Sequence, residues 1–76
     1  MSLPKIIKGK WMPTGCALNR RFRAVVIGGI EFREYHDRGM ACYCMELFSA
    51  PEKNSGWCKY SYASTAWAIN YVESQR

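Results

Sequence analysis

Gly28-Gly29 divides a run of β-branched and aromatic residues into two arms, Phe22 to Ile27 and Ile30 to Tyr35. A two-residue Gly-Gly loop between such arms suits a type I′ hairpin, because both turn positions take positive φ and the turn's twist matches that of the strands. The turn sets the register: Ile27 opposes Ile30, Val26 Glu31, Val25 Phe32, Ala24 Arg33, Arg23 Glu34 and Phe22 Tyr35. Opposed residues share a face, so the hairpin has one nearly apolar side around Val25, Ile27, Ile30 and Phe32, with Arg23 and Glu34 paired at its far edge.

Asp37-Arg38-Gly39 suits a three-residue loop with glycine in the left-handed position, and a third strand from Met40 to about Phe48 then completes a meander. This register sets Ala41 beside Tyr35, Cys42 beside Glu34, Tyr43 beside Arg33, Cys44 beside Phe32 and Met45 beside Glu31. Cys42 and Cys44 thereby join the apolar side. Residues 49–60 read as a loop, with Trp57 to Tyr60 as a short fourth strand or the approach to a helix. Residues 61–75 carry helical periodicity, with Ser61 or Ser64 as cap and Tyr62, Ala66 and Ile69 on one stripe flanked by Ala63 and Val72. Residues 1–21 form a basic arm or edge strand, with a turn expected at Met12-Pro13-Thr14-Gly15.

The expected fold class is α+β: a three- to four-stranded antiparallel β-meander packed on one C-terminal α-helix, in a single domain spanning residues 1–76. Its outline is similar in shape to the arm-binding domains of phage-type integrases and to plant transcription-factor domains that lay a sheet on DNA, although no motif of those families is present. With 76 residues the chain supports one small core. Its 49% apolar content is enough to fill that core. The lack of an N-terminal signal pattern or a long apolar run leads to an expectation of a cytoplasmic, reducing location with free thiols and no membrane contact.

Eleven Lys and Arg against six Asp and Glu give a formal charge of +5, concentrated before residue 39, which favours encounter with polyanions or acidic surfaces. The side of the meander away from the helix is expected to hold Phe22, Ala24, Val26, Glu31, Arg33, Tyr35, Ala41, Tyr43 and Met45. Either the arm, with Ile6, Ile7 and Trp11, covers it, or it is a contact surface. In the second case Phe22, Tyr35 and Tyr43, with Arg20, Arg21, Arg23 and Arg33, are the candidate residues for binding nucleic acid or a protein partner.

Other chemistry is weakly supported. His36, Cys42, Cys44 and Cys58 could together donate to zinc, yet their spacing matches no usual structural zinc site, so no metal or other cofactor is expected. His36 beside Asp37 reads as turn chemistry, and so small a core leaves little room for a supported catalytic pocket. The chain is therefore expected to be a non-enzymatic accessory protein that binds nucleic acid through a basic, aromatic-containing sheet face. The alternative is a phage or mobile-element protein that inhibits an acidic host protein. A homodimer, formed through an edge strand or the aromatic face, is a further expectation.

Overall fold

A computed structural model describes residues 3–15 and 18–76. Seven elements follow in order: β1 (Ile6–Lys8), β2 (Met12–Pro13), β3 (Arg20–Ile27), β4 (Ile30–Asp37), β5 (Cys42–Leu47), β6 (Ala50–Asn54) and α1 (Ser61–Ser74). The fold is α+β: a six-stranded antiparallel sheet of order β1-β3-β4-β5-β6, with β2 also pairing β3, and one C-terminal helix. The meander is present, but the sheet is larger than the three to four strands expected.

The β3–β4 hairpin has the expected register from Ile27↔Ile30 through Phe22↔Tyr35, and continues to Arg20↔Asp37. Gly28 and Gly29 take φ of 58° and 83°, the positive values the turn requires. The turn is also docked. Gly28 N–H donates to the Lys5 carbonyl, and a Cβ on Gly28 would lie 2.9 Å from Val72 Cγ1 of the helix.

The β4–β5 register differs from the expectation by three residues: Asp37 pairs Cys42, Tyr35 pairs Cys44, Glu34 pairs Met45 and Phe32 pairs Leu47. An odd shift moves every side chain of β5 to the other face. The cause is Asp37, which stays in the strand instead of opening the loop. Its Oδ2 accepts from Arg20 Nε at 3.1 Å across the hairpin, and its Oδ1 accepts from the Met40 N–H at 3.0 Å. The loop is thus Arg38 to Ala41, and its left-handed residue is Ala41 (φ 54°), not Gly39. The observed register buries Met45 and Leu47 under the helix where the expected one would have buried Cys42 and Cys44, a gain in apolar area.

The edge-strand alternative for residues 1–21 agrees with β1 and β2, whereas the turn at Met12-Pro13 and the loop after β5 depart from expectation. Met12–Pro13 is strand, not turn, and β1 and β2 extend the sheet along the edge of β3 without crossing its face. The fourth strand of the meander is β6, inside the stretch read as loop, where Leu47↔Ala50 closes a tight hairpin. Pro51 is tolerated there because β6 is an edge strand. Trp57 to Tyr60 contributes only the isolated pair Tyr43↔Cys58.

Val25, Ile27, Phe32, Met45, Leu47, Ala68 and Val72 form the core, with Trp67 and Tyr71 meeting the Phe32 ring edge-on. The helix is rotated from the expected stripe. Ser64, Thr65, Ala68 and Val72 are buried, whereas Ala66 and Tyr62 are exposed. Glu34 explains the rotation. It is fully buried on the sheet and accepts hydrogen bonds from Arg23 Nε at 2.7 Å, Ser61 Oγ at 2.6 Å and Ser64 Oγ at 3.4 Å. A buried carboxylate needs donors, so the hydroxyl face of the helix turns inward. The serines therefore serve Glu34, and the helix cap, Tyr60, makes no side-chain capping bond.

Candidate functional site

Alternation along β3 separates the seven candidate binding residues into two groups. Arg21, Arg23 and Tyr43 lie on the helix-bearing side of the sheet, beyond the helix N-terminus, whereas Arg20, Phe22, Arg33 and Tyr35 lie on the opposite side. The expected single surface is thus two surfaces, and Tyr43 changes sides with the β5 register.

On the helix-bearing side, one cross-strand row runs Pro13, Arg21, His36, Tyr43, Cys58. The His36 and Tyr43 rings stack in parallel, 4.3 Å apart at 6°. Trp11 stands beside His36 at 5.7 Å, and the guanidinium carbons of Arg21 and Arg23 lie 4.6 and 4.3 Å from its ring centre. The Arg21 and Arg23 guanidinium groups thus gather at the Trp11 end, held by cation–π attraction, and the stacked His36–Tyr43 pair continues the row. Next to the row, Trp11, Arg20, Arg21 and Arg38 line an open cleft of about 280 Å³.

Charge on this side is only partly compensated: Arg23 is paired with Glu34, while Arg21 and Arg38 have no carboxylate partner among the described residues. Among the described residues the ion pairs are Arg20–Asp37 and Arg23–Glu34. Arg21 instead donates from Nε to His36 Nδ1 at 3.0 Å, and Arg38 donates to the Leu18 carbonyl at 3.2 Å. Neither contact neutralises a guanidinium, so positive potential gathers beside the half-buried rings of Trp11, His36 and Tyr43.

His36 also responds to pH. Burial, followed by the positive charges of Arg21 and Arg38, holds its pKa below the ordinary 6.5, against smaller opposing effects from Glu34 and Asp37. The unfolded chain then binds this proton more readily, so the His36 contribution to stability falls as pH drops below about 6.5, by at most about 1.36 kcal/mol per pH unit. Thermal melts at pH 7.5 and pH 5.5 should show a loss of stability that His36→Gln reduces. Asp37 acts in a lower window: the Met40 N–H and then Arg20 hold its pKa below the usual value, so its contribution is lost only as pH falls through the acidic range.

The opposite side consists of the rows Met12, Phe22, Tyr35, Cys44, then Ala24, Arg33, Glu46, then Ile7, Val26, Glu31. The Arg33 guanidinium lies 4.6 Å from the Phe22 ring and 5.0 Å from the Phe48 ring. Arg20 lies 5.0 Å from the Trp57 ring. Ile7, Met12, Phe48 and Trp57 are about half exposed, at 54%, 51%, 48% and 44%.

The metal candidates are not assembled. His36 projects on the helix-bearing side and Cys42 and Cys44 on the other, and among the described residues no three His, Cys, Asp or Glu side chains come together as a metal site. Burial foremost pushes the Cys42 and Cys44 thiols up, which disfavours the thiolate. His36 and Asp37, adjacent in a strand, point to opposite faces.

Trp11 was expected only as cover for the side away from the helix and Arg38 only as a turn residue; nothing in the weakly specified arm signals that the indole lies against Arg21 and Arg23 on the helix-bearing side. The edge position of β2 supplies that contact. Among the described residues no helix is long and apolar enough to cross a membrane. No family model, curated protein or solved structure matches the chain.

Proposed function

We propose that the chain is a small non-enzymatic accessory protein of the cell interior that binds single-stranded nucleic acid across the helix-bearing side of its sheet. The observation that carries this reading is the row of Trp11, Arg21, His36 and Tyr43 beside Arg38, in which three aromatic rings stand with two guanidinium groups, Arg21 and Arg38, that have no carboxylate partner among the described residues. Stacking of a base on such a ring contributes about 1–3 kcal/mol and tolerates any sequence, while unpaired guanidinium groups neutralise the intervening phosphates. The chain's +5 charge favours the encounter. Arg23 acts differently from the expected phosphate contact: bound to Glu34, it supports the indole from beneath.

Single strands suit the site better than duplex. The cleft is small and lined in part by arm residues Trp11, Met12 and Pro13, and the rings stand on a short row where unstacked bases can add to the stack. A labelled single strand of about 12 nucleotides, titrated at about 50 mM and about 200 mM salt, tests the reading. The affinity should fall with a log–log slope of about −0.7 for each phosphate engaged, giving about −1.4 to −2.1 for two or three contacts. Absence of binding at the lower salt would end this reading.

A further inference from the structure

The uncovered side of the sheet differs in character from the rest of this basic chain. Arg20 is already joined to Asp37, and Arg33 stands among Glu31 and Glu46, so this face has no positive excess although the chain carries +5. It also holds large apolar groups that are about half exposed among the described residues, because β1 and β2 lie at the sheet edge and do not cross this face.

We infer that this face is the contact surface for a second copy of the chain. Three observations select that occupant. A nucleic acid or an acidic protein would be drawn to the uncompensated cations on the other side, whereas two +5 chains can approach most closely through a face without excess charge. The face contains both signs, and a two-fold axis midway between the paired Arg33 and Glu46 sets Arg33 of one copy against Glu46 of the other. It also has complementary relief. Gly9 and Ala24 are hydrogen-bonded neighbours, N to O at 2.8 Å, and form a low strip between the Met12–Phe22 and Ile7–Val26 pairs. An aromatic side chain from the other copy can enter that strip, as side chains interdigitate between packed sheets.

The area sets the strength. Four strands about 4.8 Å apart by six residues of about 3.4 Å give a footprint of roughly 400 Å² per copy before side-chain relief. That size belongs with weak, transient interfaces, so the dimer is expected in the micromolar range. It leaves the Trp11 row outward on both copies, and so presents two nucleic-acid sites at once.

Sedimentation of the full chain from about 5 μM to about 500 μM at moderate salt tests the inference, with a monomer-to-dimer shift as the expected result. Ala24→Arg fills the low strip at Gly9 and Ala24 with a long side chain and adds one cation to this face of each copy. It should weaken dimerisation by roughly 100-fold or more. Circular dichroism checks its fold, and Phe48→Asp serves the same purpose if it fails. Binding of the labelled single strand by the dissociated variant should keep its per-site affinity, which separates this inference from the nucleic-acid reading. Three results would overturn self-association: a wild-type monomer throughout, a dimer indifferent to both substitutions, or a monomer whose oligonucleotide or stoichiometric cell-protein binding is lost in Ala24→Arg.

Discussion

Glu34→Ala should cost about 3–5 kcal/mol of folding stability, the figure for breaking a buried ion pair from one side. Glu34 has no exposed surface, and its partner Arg23 retains 16% side-chain exposure. Removal of the carboxylate leaves that guanidinium largely buried against Trp11, and deprives the Ser61 and Ser64 hydroxyls of their acceptor. A chain of 76 residues has a total stability of only about 4–11 kcal/mol, so the variant should be partly or wholly unfolded near 37 °C. Urea unfolding followed by circular dichroism gives the difference. A loss below about 1 kcal/mol would show that the network contributes little beyond its packing.

The same network predicts an asymmetry. Replacing the pair as a unit, Arg23→Met with Glu34→Leu and Ser64→Ala, removes the stranded charge and should restore much of the stability, because a buried pair gives little net gain over apolar groups of similar volume. What the triple variant loses is helix orientation. With Glu34 and the Ser64 hydroxyl gone, nothing polar holds Ser61 toward the sheet, and the more apolar stripe through Tyr62, Ala66 and Ile69 becomes a competing face.

That competition explains what the sequence reading could and could not reach. Glycine pairs and alternating β-branched residues act locally, so the β3–β4 hairpin and its buried Val25, Ile27 and Phe32 were legible residue by residue. The β4–β5 register was not, because it depends on Asp37 bonding to Arg20, 17 residues away, and not on the most turn-like glycine nearby. The helix face was obscured for a related reason: apolar periodicity cannot show that serines are wanted inside by a buried carboxylate on another element. Both errors reached the candidate site. An odd register shift and the alternation of Arg20, Arg21, Phe22 and Arg23 distribute the candidate residues over two sides of one sheet.

Arg21→Glu should remove most of the affinity for single-stranded nucleic acid, whereas Arg33→Glu should change it little. Arg21 lies over Trp11, donates to His36 and carries no compensating carboxylate among the described residues, so it links the two halves of the row. Losing one hydrogen bond to a charged group costs about 1.5–3 kcal/mol, or roughly 10- to 150-fold in affinity. Charge reversal adds repulsion from the phosphate to that loss. Arg33 has comparable charge and also lies against aromatic rings, but on the opposite side, so its reversal changes net charge equally without touching the row. The pair therefore separates a local site from a general electrostatic effect. If nucleic acid is held only by the overall positive field, both variants weaken binding alike and the salt slope changes by the same amount in each. If the row is the site, Arg21→Glu alone lowers affinity by an order of magnitude or more, and Trp11→Ala follows it, since base stacking and phosphate contact are then made by adjacent groups.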